Sequence, residues 1–109
     1  MATLYLVATP IGNLEDLSPR AVEVLGQADL IAAEDTRHTR KLLSAMNIPA
    51  PRLASYYEPN EKTQAVALAD ELDAGRDVAL VSDAGTPGIS DPGYRVVCLA
   101  IERGHQVVP

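Results

Sequence analysis

Short apolar runs alternate with amphipathic segments along the whole chain, and that alternation predicts strands and helices in strict succession. Leu4-Tyr5-Leu6-Val7-Ala8 reads as a first buried strand, stopped by Thr9-Pro10 and Gly12-Asn13. Ser18 before Pro19 marks a helix start, because the hydroxyl can accept a first-turn N–H and proline there forfeits no needed donor. Ala21, Val24, Leu25 and Ala28 then fall on one helical face. Leu30-Ile31-Ala32-Ala33 is a second strand. A helix starting near Asp35 or Thr36 is expected to end at Asn47, since Pro49 and Pro51 bar its continuation.

Leu53-Ala54-Ser55 is a weak third strand. Asn60 is expected to cap a third helix whose apolar face is Ala65, Leu68, Ala69 and Leu72, with Gly75 ending it. Val78-Ala79-Leu80-Val81 is the clearest strand. Asp91-Pro92 repeats the cap-plus-proline start for a fourth helix, with Val97, Ala100 and Ile101 as its buried stripe and Gly104 as its stop. Gln106-Val107-Val108 begins a fifth strand. The expected fold is therefore α/β: a five-stranded, mostly parallel sheet with helices on both faces and right-handed crossovers. The chain stops at Pro109 as its last strand forms, so residues 1–109 read as a piece of a longer protein cut at a domain boundary.

Composition narrows the picture. Aromatic residues make up 4% with no Phe or Trp, against 47% hydrophobic overall, so the core must be built from Val, Leu, Ile and Ala. That suits parallel strands covered on both faces. The formal charge of −6, from 9 basic and 15 acidic residues, excludes a dedicated nucleic-acid module on global charge. Cys98 is the sole cysteine, which rules out an internal disulfide and fits a reducing compartment. Met1-Ala2-Thr3-Leu4-Tyr5 lacks a signal-peptide pattern, and no apolar run approaches the roughly 20 residues that cross a bilayer. The expected location is the cytoplasm, without membrane contact.

In open α/β sheets, ligands bind beyond the carboxyl ends of the strands. Three loops stand there: Thr9 to Leu17, Glu34 to Arg40, and Ser82 to Gly93. The third, Ser82-Asp83-Ala84-Gly85-Thr86-Pro87-Gly88-Ile89-Ser90-Asp91-Pro92-Gly93, has a backbone path fixed by proline and opened to close approach by glycine. It is far longer than the roughly 2–6 residues a plain connection needs, which favours a ligand site over a long turn. Asp83 directly follows the strand, and Asp91 reads as a helix cap. The first loop lacks G-x-G-x-x-G and the chain lacks a G-x-x-x-x-G-K-[ST] loop, which argues against a pyrophosphate cradle. That loop is either a ligand wall or a simple strand-to-helix turn.

In the second loop, Asp35 and Thr36 suit a helix cap, while Arg37, Arg40 and Lys41 at i, i+3, i+4 make one basic face. That face either contacts phosphate or is solvated and paired with nearby acids. Tyr56-Tyr57-Glu58 either stacks on unpaired bases or packs against the sheet edge. His105 reads as structural and Cys98 as core. No Cys/His cluster has zinc spacing, so no metal is expected, and no G-x-S-x-G nucleophile elbow is present.

Taken in order, Leu4 to Ser18 (LYLVATPIGNLEDLS), Ala33-Glu34-Asp35-Thr36-Arg37 and Ser82-Asp83-Ala84-Gly85-Thr86-Pro87-Gly88 closely resemble the tetrapyrrole-methylase superfamily. Within it they are most similar to the ribosomal RNA small-subunit methyltransferase I branch. The resemblance covers the whole chain and rests on three long motifs in the right order. It implies a two-domain enzyme of which this is the first half, holding S-adenosylmethionine in the cleft between domains. It further implies a homodimer that methylates the 2′-oxygen of a cytidine ribose in small-subunit ribosomal RNA within the ribosomal subunit. By motif position, Pro10, Asp83 and Thr86 correspond to cofactor-contacting residues, with Ile11, Gly12, Gly85 and Ile89 as neighbours. Relatives often carry a histidine where Pro59 stands, which leaves the role of Tyr57-Glu58-Pro59-Asn60-Glu61 open.

The residues agree with that resemblance. S-adenosylmethionine carries no phosphate, so a phosphate loop is not needed, and its ammonium and sulfonium suit a carboxylate such as Asp83. Methyl transfer needs an in-line acceptor oxygen and removal of its proton. Glu34, Asp35 and His38 are the candidates for base or positioning, and Arg37 for phosphate. Two other readings remain at this stage: a methylase of a corrinoid or porphyrin precursor, and a non-enzymatic nucleotide-binding α/β module. The half-molecule alone is expected to fold without methylating.

Overall fold

A computed structural model describes residues 2–8, 17–49, 52–82 and 93–109. Its elements run β1 (Thr3–Ala8), α1 (Pro19–Gln27), β2 (Leu30–Ala33), α2 (Thr36–Ala45), β3 (Arg52–Ser55), a single 3₁₀ turn (Glu58–Asn60), α3 (Glu61–Asp73), β4 (Val78–Ser82), α4 (Gly93–Glu102) and β5 (Gln106–Val108). The strands form one five-stranded sheet in the order β3-β2-β4-β1-β5. All of its pairings are parallel. The α/β expectation holds, and the sheet is wholly rather than mostly parallel.

Burial explains that order. Every residue of β2 and the first four of β4 are buried, so these strands are apolar on both faces and sit inside the sheet. β3 and β5, with exposed or half-buried residues throughout, take the edges. The pleat sends alternate side chains to two separate cores. Leu4, Leu30, Ala32, Val78 and Leu80 meet α3 and α4 through Leu68, Leu72, Val96 and Ala100. Val7, Ile31, Ala33, Ala79 and Val81 meet α1 and α2 through Leu25, Leu42 and Leu43. Helices thus cover both faces.

The helix punctuation follows local chemistry. Ser18 Oγ accepts from Ala21 N at 3.1 Å, as its place before Pro19 predicts. Helix α2 ends at Ala45, two residues before the expected stop, because Asn47 turns left-handed at φ 56°. Its N–H then bonds Ser44 O, and Ile48 N bonds Leu43 O at 2.9 Å, closing the helix by the left-handed C-terminal motif. Gly75 (φ 87°) and Gly104 (φ 80°) end α3 and α4 in the same way.

Two expectations need correction. Asn60 precedes α3, but its side chain makes no capping bond to the helix. Its amide is drawn back to the preceding loop instead, as described below. In α4 the buried stripe is Val96 and Ala100, with Val97 half-buried, whereas Ile101 is 62% exposed. The expected face Ala65, Leu68, Ala69 and Leu72 of α3 is buried throughout. The expected cap-plus-proline pair Asp91-Pro92 lies outside the described residues.

The amino edge of the sheet is tied by polar groups. Asp77 Oδ1 accepts from Thr3 N at 2.9 Å, and Asp29 Oδ2 accepts from Asp77 N at 2.9 Å. His105 lies at the same end, its Nε2 2.7 Å from Asp73 Oδ1 while Ala2 N donates to Nδ1 at 3.4 Å. It is structural, as expected. The opposite, carboxyl edge is left for the site.

Candidate functional site

The sheet order creates a crevice at the carboxyl edge. From β1 the chain crosses to β2 along the α1 face, and from the adjacent β4 it crosses to β5 along the α4 face. Neighbouring strands whose connections leave to opposite faces define a switch point, where such folds hold ligands. The register sharpens this. Ala8 pairs with Ser82, so the connections beginning at residues 9 and 83 leave from side-by-side positions. Ala33 pairs with Val81, which brings residues 34 onward beside the same rim. Both connections, 9–18 and 83–92, exceed the roughly 2–6 residues that a plain strand-to-helix link uses.

The expected cofactor residues Pro10, Ile11, Gly12, Asp83, Gly85, Thr86 and Ile89 lie outside the described residues. The strand ends that carry them are described, and they converge.

The β2–α2 corner can be built atom by atom. Asp35 sits in extended conformation at the N-cap, where Oδ1 accepts from Arg37 N at 3.0 Å and His38 N at 3.3 Å. The Asp35 carbonyl accepts from the buried Thr39 hydroxyl at 3.2 Å. The hydrogen bond from the His38 N–H does most to hold the Asp35 carboxyl below its ordinary pKa, helped by the Arg37 N–H and the Arg37 guanidinium, whose Nε lies 3.8 Å away. A carboxyl held ionised in this way is a good anchor and a poor proton acceptor. Glu34, Arg37, His38, Arg40 and Lys41 are exposed, and the Arg37 side chain is 90% so. The basic face of α2 is therefore open to solvent at the rim.

A depressed carboxylate contributes stability that is present above its unfolded pKa and lost as pH falls through its folded value. Below pH 3.8 the α2 N-terminus should therefore fray. Asp35→Asn, a comparable cap without a titrating proton, should flatten that part of the acid transition. Circular dichroism followed from pH 7 to pH 2 reads the difference, and superimposable curves would remove the charge from the cap's role.

At the neighbouring corner Tyr56 is 2% exposed and belongs to the core, so of the two tyrosines only Tyr57, at 41%, faces solvent. Ser55, Asn60 and Gln64 organise this loop, a role that sequence reasoning gave to none of them. Asn60 Nδ2 and Gln64 Nε2 both donate to Ser55 O, at 3.2 and 2.8 Å, and Asn60 Oδ1 accepts from Tyr57 N at 2.9 Å. The available signal was a pair of amides four residues apart just after a strand. Cys98 is half-buried in α4. Among the described residues no group of three or more His, Cys, Asp or Glu side chains could hold a metal ion, and no helix is long and apolar enough to cross a membrane.

Comparison with known proteins agrees with this architecture. A protein named ribosomal RNA small subunit methyltransferase I from Halalkalibacterium halodurans is 59% identical over 107 residues, covering 98% of this chain and 37% of that protein. Proteins of the same name from Synechocystis sp. (56% over 109 residues; 100% and 39% covered) and Escherichia coli O157:H7 (55% over 106 residues; 97% and 37% covered) are also similar. The chain thus spans under two-fifths of the length of these relatives. Among solved structures, uroporphyrin-III-C-methyltransferase from Thermus thermophilus shares the fold at a TM-score of 0.72 and 23% identity, covering 98% of this chain and 46% of that one. A cobalt precorrin-4 methyltransferase does so at 0.74 and 20%, covering 98% and 45%. The profile of the tetrapyrrole (corrin/porphyrin) methylases matches residues 3–109, and with the sheet order and the switch point it settles the placement: the chain belongs to the tetrapyrrole methylase family.

Proposed function

We propose that this chain is the amino-terminal half of an S-adenosylmethionine-dependent methyltransferase that modifies the 2′-hydroxyl of a cytidine ribose in small-subunit ribosomal RNA, acting in the cytoplasm as a homodimer on the ribosomal subunit. The observation that carries the reading is the 59% identity over 107 residues to a protein named ribosomal RNA small subunit methyltransferase I. Its physical support is the rim at which Ala8, Ser82 and Ala33 release three loops side by side. The solved tetrapyrrole enzymes, at 20–23% identity, speak for the fold alone.

The donor would supply an electrophilic methyl group, and the chain's work is to hold it and to present the acceptor. Pro10, Ile11, Gly12, Gly85, Thr86 and Ile89 would line the donor, and Asp83 would pair with its ammonium. Asp35, fixed and ionised by the backbone of α2, acts as a positioning group, and Arg37 reaches a substrate phosphate. Glu34 and His38, both exposed beside it, are the candidates to take the hydroxyl proton.

The test compares full-length protein with residues 1–109 alone, using labelled donor and either small subunits or tetrapyrrole precursors. The full-length protein should label a cytidine 2′-oxygen and leave tetrapyrroles unmodified, while residues 1–109 fold but transfer nothing. Arg37→Ala in the full-length protein should lower kcat/KM about tenfold, the scale of one lost charge-assisted bond. Labelling of a tetrapyrrole instead would overturn the assignment.

A further inference from the structure

We infer that the corner joining β3 to α3 is a stacking platform for an unpaired nucleotide, with Tyr57 as its face and the basic start of α2 as its phosphate rail; this rests on the RNA substrate proposed above. The two parts are neighbours by construction. Ala33 and Ser55 are register partners at the ends of β2 and β3, and Tyr56 N donates to Ala33 O at 2.8 Å. The loop carrying Tyr57 therefore leaves the sheet one strand away from the turn carrying Asp35 and Arg37. Both corners lie on the carboxyl edge: the α2 corner stands at β2, next to β4, and the Tyr57 corner one strand further from the β1–β4 switch point.

An exposed tyrosine alone would mean little, since single surface aromatics are common. Here the backbone that presents it is built. Tyr56 is sunk in the core on one side. On the other, Asn60 closes a reciprocal turn: its Oδ1 takes the Tyr57 N–H at 2.9 Å and its own N–H donates to Tyr57 O at 3.0 Å. Asn60 and Gln64 together hold the Ser55 carbonyl, the last of the edge strand. Four polar groups and a buried ring thus fix the backbone of one residue that stays 41% exposed. Such pre-ordering lowers the entropic cost of stacking a base. A tyrosine on an ordered backbone, one strand away from the helix that carries exposed Arg37, Arg40 and Lys41, suits single-stranded RNA, whose bases stack on aromatics while its phosphates need cations. It also gives an acidic domain of net charge −6 a local way to hold RNA.

The test uses the full-length protein, with KM and kcat for methyl transfer to small subunits, Kd for a single-stranded RNA oligonucleotide, and Kd for S-adenosylmethionine. Tyr57→Ala should raise the subunit KM and the oligonucleotide Kd about five- to 150-fold, the range of one lost base stack, with kcat and cofactor affinity unchanged. Tyr57→Phe should restore both. Ile101→Ala, an exposed apolar change at the other end of the fold, should move neither. Wild-type KM and Kd in Tyr57→Ala would overturn the inference, as would a raised subunit KM with unchanged oligonucleotide binding, which would place a protein against Tyr57. A wild-type enzyme that fails to methylate the subunit at all would sink the proposed function and this inference with it.

Discussion

Replacing Asp83 by Asn in the full-length protein is expected to weaken S-adenosylmethionine binding about 10- to 100-fold, because a charge-assisted bond inside a protein is worth about 1.5–3 kcal/mol and each 1.4 kcal/mol is tenfold. Position 83 directly follows Ser82, the last residue of β4, whose register partner Ala8 ends β1. No other strand end lies as centrally, since β4 stands third in the order of five. A cationic ligand entering that crevice leaves water behind and needs a fixed counter-charge; the neutral amide retains the shape and removes the charge. Folding should be spared, because β4 itself is held by Val78, Ala79, Leu80 and Val81, all buried. Titration calorimetry on the variant, beside its thermal melt without cofactor, reads both quantities. Wild-type affinity would take Asp83 out of the site, and a collapsed melt would assign it a structural role.

What the sequence could and could not convey follows from the physics of each element. β2 and β4 were legible because strands buried on both faces must be apolar throughout, and Leu30–Ala33 and Val78–Val81 are. The helix ends were legible at Ser18, Gly75 and Gly104 because capping is local chemistry. The phase of α4 was not. Val96, Val97, Leu99, Ala100 and Ile101 offer apolar side chains on more than one face, so spacing cannot choose among them. Packing against α3 selects Val96 and Ala100 and leaves Ile101 outside. Tyr56 and Tyr57 are chemically identical, and only the departure of the chain from β3 decides which is buried. Asn60 was misjudged for a related reason: its amide had two possible sets of partners, the first turn of α3 or the loop behind it, and the loop won through Ser55 and Tyr57. At the site, Asp35 was legible as a cap from its position before Thr36. That Ala8, Ser82 and Ala33 end together was not, because strand order is a property of the sheet as a whole.

The two isoleucines Ile31 and Ile101 measure that distinction directly. By sequence both read as buried positions; in the fold Ile31 is 0% exposed and Ile101 62%. Ile31 lies in β2, flanked by its register partners Leu53 of β3 and Ala79 of β4, and its side chain joins Leu25, Leu42 and Leu43 in the core beneath α1 and α2. Truncation to alanine removes buried carbon and leaves a cavity that a sheet pinned on both sides closes poorly. The expected cost is about 2–5 kcal/mol, a large part of the roughly 5–15 kcal/mol that holds a domain folded. At about 4–8 °C per kcal/mol for a domain of this size, the melting temperature should fall by roughly 8–40 °C. Ile101→Ala should stay within about 0.5 kcal/mol of wild type, as exposed substitutions do. The loss at Ile31 also bears on function, because Ile31 lies two residues before Ala33, where the chain turns toward Asp35 and Arg37, and a loosened β2 cannot hold that corner against the rim. Equal melting temperatures for the two variants would show that the α1–α2 face is not packed as described, and the placement of α2 beside the crevice would fall with it.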